Sequence, residues 1–344
     1  MARRQPSWLA CETCVRNAWT VRISEAYLSR ESKELDPFVT QLGSKPWRTG
    51  DAERAAREAL HKLGRASAEL RLVRLGENAL FHAPTLEALL RVARPQKSAK
   101  SIAHTVAVAR RLRAEGVPAP EPLTFETLEQ PFVSSFGTVT VWRYYREDRS
   151  QSLPFRDFGG LLREFHSRAV DLEDCLPAWR PLEHTRRRLD AARQQRVPQE
   201  WLRVLDRRVT EVEEGLERLS SVLGRGPVHG DAHRGNVLLT RDGPVLLDLD
   251  EVCVAPREWD LAPTLVTRRR FGMSQEDWHG FSMAYGYDLA QSPAAVPLVR
   301  LRELAMTTWL LQQHGGTGEI DAELERRIGS LEEDGHSWTS WNPF

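Results

Sequence analysis

The sequence predicts an α+β chain of two lobes, a small β-rich N-lobe followed by a larger, mainly helical C-lobe. Three observations predict it. Short strand-like runs separated by turn residues crowd the stretch from Glu69 to Arg94. A single helical segment then leads into another run, Phe136 to Tyr145, rich in β-branched and aromatic residues. Beyond that run, apolar residues recur at steps of three and four, the spacing of a buried helix face.

Residues 1–50 mix Trp8, Trp19 and Trp47 with scattered charge and show no sustained period. They are expected to be an N-terminal extension of unknown order: a flexible arm, a docking element, or the product of an upstream start codon. Residues 51–145 form the expected N-lobe. A helix is predicted from Asp51 to Leu63, with Asp51 as N-cap and Gly64 as stop. The three runs Leu70–Leu75, Ala79–Ala83 and Ala88–Val92 follow, joined by the turns Gly76-Glu77-Asn78 and Pro84-Thr85, and an antiparallel meander is the natural arrangement. Next comes a helix from Ser101 to Ala114, with Ile102, Val106, Ala109 and Leu112 on one side and Gly116 ending it.

The C-lobe is expected over 146–344. It opens on a polar segment and a helix at Phe158 to His166. From Trp201 to Leu223 the residues Leu202, Leu205, Val209, Val212, Leu216 and Leu219 form a stripe too short for a long coiled coil, which therefore predicts a core helix. Pro297 to Gln313 repeats the pattern with Leu298, Leu301, Leu304, Ala305 and Trp309.

Composition narrows the function classes. Lys+Arg and Asp+Glu both total 48 in 344 residues, and no basic stripe runs along the chain, which argues against a nucleic-acid partner. No apolar run approaches the ~18 residues of a membrane span, and the first residues are too polar for a secretory signal, so a soluble cytoplasmic protein is expected. The 4 cysteines suggest no disulfide framework, and Cys11 and Cys14 make a single C-x-x-C without further zinc ligands at matching spacing.

The most informative stretch runs from Val228 to Asp250. Asp231 is followed five residues on by Asn236, and the strand-like runs Val237-Leu238-Leu239 and Val245-Leu246-Leu247 place Asp248 opposite Asn236 if they pair as a hairpin. Phosphoryl transfer needs a carboxylate beside the attacking hydroxyl and oxygen ligands for Mg²⁺, and such a segment supplies both. Gly230 and Gly235 permit the bends that a loop of this kind requires.

His-Gly-Asp-x-His-x-Gly-Asn, followed by Leu-Leu-Asp-Leu-Asp and Pro-Arg-Glu-Trp-Asp-Leu-Ala, resembles the aminoglycoside phosphotransferase family, whose fold is protein-kinase-like. The resemblance extends from about Leu70 to at least Ala262. It implies that Asp231 is the catalytic base or hydroxyl-orienting carboxylate, that Asn236 and Asp248 bind Mg²⁺, and that His229 and His233 are supports. Asp250 is expected either near the metal or hydrogen-bonded to local backbone. Asp260 is expected to cap or anchor the segment it opens. The turn of Gly76, Glu77 and Asn78 would cover the phosphates of ATP or GTP, Arg91 would hold the α- and β-phosphates, and the connector of Trp142, Arg143, Tyr144 and Tyr145 would meet the base.

One departure stands out. The family pattern pairs the basic residue of the third strand with a Glu in the following helix, yet no acid occurs from Pro95 to Ala114, where His104 and Thr105 fall near the expected place. Glu87, Glu115 or the nucleotide alone are the candidate partners of Arg91. The acceptor is expected to be a hydroxylated small molecule, with an aminoglycoside or another aminosugar or amino alcohol as one class. Such a cation would favour an acidic wall, for which Glu258, Glu276, Asp277 and Asp288 are available, and Trp259, Trp278 and Trp309 either line a pocket or fill the core. The contrasting reading is a non-catalytic, pseudokinase-like regulatory protein that binds nucleotide. A protein kinase is disfavoured, because the Leu-Leu-Asp-Leu-Asp segment lacks the Asp-Phe-Gly form and no Ala-Pro-Glu follows it. Oligomeric state is unreadable.

Overall fold

The computed structural model describes residues 48–126, 128–332 and 339–344. The expectations for Trp8, Trp19, Trp47, Cys11 and Cys14 therefore lie outside the described residues.

Helix α1 (Thr49–Lys62) starts before the expected Asp51, with Arg48 as its N-cap residue. Asp51 instead lies in the first turn, where its charge complements the helix dipole, and pairs with Arg54 at 2.7 Å. Its buried face is Ala52, Ala55, Ala56, Ala59 and Leu60, small side chains that let the helix lie close against a sheet. That sheet is β1 (Arg71–Leu75), β2 (Asn78–Ala83), β3 (Ala88–Ala93), β4 (Phe132–Ser134) and β5 (Gly137–Arg143), antiparallel throughout in the order β1-β2-β3-β5-β4.

Period-two alternation turns Ala79, Phe81, Ala83, Ala88, Leu90 and Val92 towards α1. Arg91 consequently projects from the opposite face. Strand β4 was not anticipated, since three residues carry no readable period. The short helix Pro84–Leu86 occupies the expected second turn.

Helix α2 (Ala99–Ala114) belongs to the N-lobe by sequence, but its buried Val106, Val108, Ala109 and Leu112 join the core of the helical lobe. That lobe contains α3 (Phe155–Arg168), α4 (Glu183–Arg193), α5 (Gln199–Glu217), α6 (Ala262–Arg270), α7 (Gln275–Tyr285), α8 (Ala295–Leu311) and α9 (Gly318–Glu332). Two small antiparallel pairs complete it, β6 (Arg225–Val228) with β9 (Cys253–Pro256) and β7 (Val237–Thr240) with β8 (Gly243–Leu246). The stripe expected to run as helix to Leu223 leaves the helix at Glu217, although Leu219 and Leu223 still pack on the core. Hydrophobic pattern outlasts helix there because burial does not require helical backbone.

At the α3/α7 crossing, a side chain on Gly159 would put its Cβ 2.4 Å from the Phe281 carbonyl oxygen, so the two backbones nearly touch. Trp259 and Trp278 are core residues at 6% and 1% exposure, whereas Trp309 is exposed. Among the described residues no helix is long and apolar enough to cross a membrane.

Candidate active site

The segment after β6 is held from behind by a buried carboxylate. Asp260, 1% exposed, accepts the backbone N–H groups of His229 (2.7 Å) and Gly230 (2.9 Å) and is bonded by His166 at 2.9 Å, while the Trp259 indole donates to the Gly230 carbonyl at 2.8 Å. Asp260 thus anchors the loop through its backbone rather than capping a helix. Gly230 is obligatory: its φ is +86°, and an added Cβ would lie 2.1 Å from the Glu251 carbonyl oxygen.

The fully buried His229 Nε2 lies 2.8 Å from the Leu247 carbonyl. A carbonyl only accepts, so His229 carries its proton on Nε2, and Nδ1 accepts from the Asp231 N–H at 3.4 Å. His229 therefore links the Asp231 loop to the strand end that leads to Asp248.

Asp231 is surrounded by donors. The Asn236 amide nitrogen lies 2.9 Å from its carbonyl and 3.3 Å from Oδ2, His233 Nε2 is 3.5 Å from Oδ2, and Arg302 Nη1 donates to Oδ1 at 2.7 Å. Burial works to raise the carboxyl, but Arg302, and after it His233 and His229, outweigh burial and hold it well below the usual carboxylate range. Asp231 is an anion at neutral pH.

The β7/β8 hairpin pairs Val237 with Leu246, and the Leu247 N–H continues the pairing onto the Asn236 carbonyl at 2.7 Å. This register brings Asn236 and Asp248 to the same end of the hairpin. Asn236 spends its amide nitrogen on Asp231, which leaves Oδ1 for a cation. Asp248 adopts a left-handed φ of 58° and opens to solvent. Partial desolvation by the cleft walls, then the charges of Asp250 and Asp231, raise its carboxyl above the ordinary value against the pull of Arg91. Such crowding is what a divalent cation relieves.

Among the described residues no three His, Cys, Asp or Glu side chains are arranged to hold a metal unaided. Two protein oxygens completed by phosphates and water suit Mg²⁺, which seldom takes an all-protein cage. The donor set therefore fits.

Arg91 is anchored by neither Glu87 nor Glu115. Its guanidinium forks onto Asp250, with Nη1 to Oδ1 at 3.1 Å and Nη2 to Oδ2 closer still. Asp250 also accepts from Lys97 Nζ (2.7 Å) and Thr105 Oγ1 (3.0 Å). Asp250 is thus an ion-pair hub rather than a partner of local backbone, and its charge still acts on the neighbouring Asp248. Burial pushes the Asp250 carboxyl up, and Arg91 and Lys97 more than reverse it, leaving it far below its ordinary value. The acid missing from the helix is thus supplied by the loop that follows Asp248, and Thr105 stands at the helix position where an acid was sought.

Around the turn of Gly76, Glu77 and Asn78, the Asn78 side chain, oriented with its carboxamide oxygen towards the guanidinium, accepts from Arg91 Nε (3.2 Å) and Nη2 (3.0 Å). Gly76 N–H donates to the Asn78 carbonyl at 3.1 Å, and the Gly76 carbonyl accepts from Arg94 at 3.3 Å. Glu77 lies between them and contributes to the field at Arg91 and Arg188.

The connector differs from expectation in detail. The N–H groups of Arg143 and Tyr144 donate to the carbonyls of Glu121 and Glu87 at 2.8 Å each, so a base edge is left the Tyr145 amide and the connector carbonyls. Trp142 is buried with its indole on Thr140, the Arg143 side chain faces Glu121 at 3.4 Å, and Tyr144 stacks on His82 with ring centroids 3.6 Å apart.

The proposed acidic wall does not form. Glu258 is fully buried, accepting from Ser221 (2.7 Å) and the N–H groups of Val222 and Leu223. Asp277 bonds the N-cap Ser274, Glu276 shares its helix turn, and Asp288 caps a short helix and accepts from Trp278. The residue that does reach Asp231, Arg302, was missed. Its only signal was an arginine lodged among Leu298, Leu301 and Leu304 in an otherwise apolar helix stripe.

The geometry has clear parallels. The model of the phosphotransferase enzyme family matches residues 76–292. No curated protein matches the chain significantly in sequence. Among solved structures, an amicoumacin kinase in complex with AMP-PNP, Ca²⁺ and Ami aligns with a TM-score of 0.67 at 16% identity over 86% of this chain and 98% of that one. A choline/ethanolamine kinase family protein from Mesorhizobium loti aligns at 0.58 and 19% identity over 83% and 96%. A spectinomycin phosphotransferase in complex with ADP and spectinomycin aligns at 0.56 and 13% identity over 78% and 90%. At these identities the likeness establishes the protein-kinase-like fold.

Proposed function

We propose, for a chain that belongs to the phosphotransferase enzyme family, Mg²⁺-dependent transfer of the γ-phosphoryl group of ATP or GTP to a hydroxyl of a small molecule. One observation carries the reading: Asp231, Asn236 and Asp248 are gathered by the β7/β8 register and the His229 link at one end of a hairpin, with Arg91 from the sheet fixed to the same loop through Asp250.

When bound, Mg²⁺ supplies neutralisation of phosphate charge, and Asn236 and Asp248 are the residues that would hold it. Arg91 and the turn of Gly76, Glu77 and Asn78 orient the phosphates. The acceptor oxygen attacks the γ-phosphorus, the bond to the bridging oxygen breaks, and the hydroxyl proton leaves towards Asp231. A carboxylate held well below its usual range is a weak proton acceptor, so Asp231 acts chiefly by orienting the hydroxyl, with the proton moving late.

Aminoglycosides, other aminosugars and amino alcohols are acceptor classes that carry such a hydroxyl. A cytoplasmic setting supplies nucleotide and Mg²⁺ and keeps Cys175 and Cys253 as thiols. The test is mass spectrometry of a mixed acceptor library incubated with ATP or GTP and Mg²⁺. Product is expected from the native protein, and Asp231→Asn should lower turnover by roughly 10²- to 10⁴-fold while still binding nucleotide. Nucleotide binding without product from any acceptor favours the pseudokinase-like alternative.

A further inference from the structure

We infer that the acceptor carries an oxyanion, a carboxylate or a phosphate, beside the hydroxyl that is phosphorylated, and that Arg302 and Arg188 select it. The inference rests on the reading of Asp231 as the partner of that hydroxyl.

The two oxygens of Asp231 face different neighbours. Oδ2 is turned to Asn236 and His233, the side of the proposed metal ligands, whereas Oδ1 is bonded by Arg302 from α8. A hydroxyl entering from the Oδ1 side meets a guanidinium. The Arg302 side chain is only 17% exposed, and among the described residues Asp231 is its sole hydrogen-bond partner, with a buried Nε that has none. A planar guanidinium is shaped to bind carboxylate or phosphate through two parallel bonds.

Arg188 converges on the same wall from α4. Its Nη1 donates to the Ala305 carbonyl at 3.2 Å, three residues beyond Arg302 on α8, and among the described residues no carboxylate lies within ion-pair distance of it. Burial, and then the positive charges of Arg187 and Arg302, lower its guanidinium's pKa, against the pull of Glu77 and Glu251. Of those acids, Glu251 is engaged by His184 at 3.2 Å. Glu258, Asp277 and Asp288 are committed to partners inside the C-lobe. A cationic acceptor would therefore face two arginines, while an anion placed between them relieves their repulsion. The phosphates of the nucleotide do not need this pair, because Arg91 and Lys97 lie on their side of the cleft.

The experiment uses matched acceptors that differ only in the anionic group: serine against ethanolamine, glycerate and glycerol 3-phosphate against glycerol, and a uronic acid against its parent sugar, with an aminoglycoside as the cationic control. Product is followed by mass with ATP or GTP and Mg²⁺, and binding by calorimetry in the presence of AMP-PNP. Anionic members should bind and gain phosphate, with carboxylate and phosphate arms identifying which oxyanion is used. Arg302→Gln and Arg188→Gln should raise their KM or Kd at least tenfold, and Arg302→Lys should recover only part, with the Kd for AMP-PNP unchanged.

Preference for the neutral or cationic member of each pair overturns the inference and leaves phosphotransfer standing. So does a fall in kcat for Arg302→Gln with acceptor KM unchanged, which marks Arg302 as only a partner of Asp231, or an equal loss of AMP-PNP binding, which marks a phosphate clamp. Arginine-dependent binding of anions without any product keeps the inference and sinks the phosphotransfer reading. Failure of every anionic member to bind overturns the inference outright.

Discussion

At the scale of single residues, the arrangement most specific to this chain is Asp250. It binds Arg91, Lys97 and Thr105 across a separation of 159 residues in the case of Arg91, with both Arg91 and Asp250 mostly shielded from solvent. Asp250→Asn should raise the nucleotide KM about tenfold or more and cost about 2 kcal/mol of stability, read from denaturant titration. Adding Thr105→Glu to that variant should restore much of the KM, because it returns an acid to the helix opposite Arg91, while the same change in the native protein should impair it by facing Asp250 with a like charge. The pH dependence follows from the sign of the shift: the Asp250 carboxyl is depressed in the folded protein, so its contribution is complete above the ordinary aspartate value of 3.8 and disappears as pH falls through the lower folded value. The stability gap between native protein and Asp250→Asn should accordingly persist at pH 5 and close only in strong acid. The sequence displayed Arg91, Asp250 and Thr105 individually, and even the absence of a helix acid. It did not display their meeting, because nothing in the local pattern encodes a contact between residues so distant along the chain. Arg302 was illegible for a related reason: beside Arg300 and Glu303 in a leucine-rich helix it looks like a snorkelling surface residue until the fold brings Asp231 beneath it.

At the scale of elements, the helices beginning near Asp51, Ser101, Phe158, Trp201 and Pro297, the first three strands of the sheet and the β7/β8 hairpin were legible, whereas α4, α7, α9 and the β6/β9 pair carried no pattern that named them. Strand β4 is three residues long, and α5 ends at Glu217 while its apolar stripe runs on to Leu223. Close approach between elements is written in glycines instead. Gly159→Ala would drive a methyl group into the Phe281 carbonyl at the α3/α7 crossing, and the expected loss of about 2–4 kcal/mol should appear as a lowered melting midpoint with no change in the nucleotide KM of the folded fraction. Gly230→Ala differs in kind. Its φ of +86° and contact with the Glu251 carbonyl combine strain with displacement of the loop, so it should depress kcat beyond what its stability loss explains, a comparison made at a temperature where both proteins are folded.

At the scale of the molecule, two hydrophobic cores support two lobes, one between α1 and the sheet and the other through the helical remainder. We propose a lobe boundary between residues 145 and 146, a reading supported by the Asp148 N–H, which already donates to the Leu239 carbonyl of the β7/β8 hairpin. The general division was readable from the change of period in the sequence, whereas the membership of α2 in the second core was not, because an apolar helix face does not name the surface it covers. Ligand linkage offers a whole-molecule prediction. Nucleotide with Mg²⁺ at about 100 times Kd should stabilise the protein by roughly 2.7 kcal/mol, Asp231→Asn should keep most of that shift in a thermal scan, and Asp248→Asn should lose its metal-dependent part. The placement of Asp250 carries one more consequence, for control. In protein kinases the acid that pairs with the phosphate-binding cation rides on a helix, and swinging that helix away is how such catalysts are turned off. Here that acid rides on the same loop as Asp248, and α2 is packed into the larger core. Displacing the helix would remove a threonine from the hub and leave the Arg91–Asp250 pair itself in place, so the position of α2 and the orientation of Arg91 are uncoupled here.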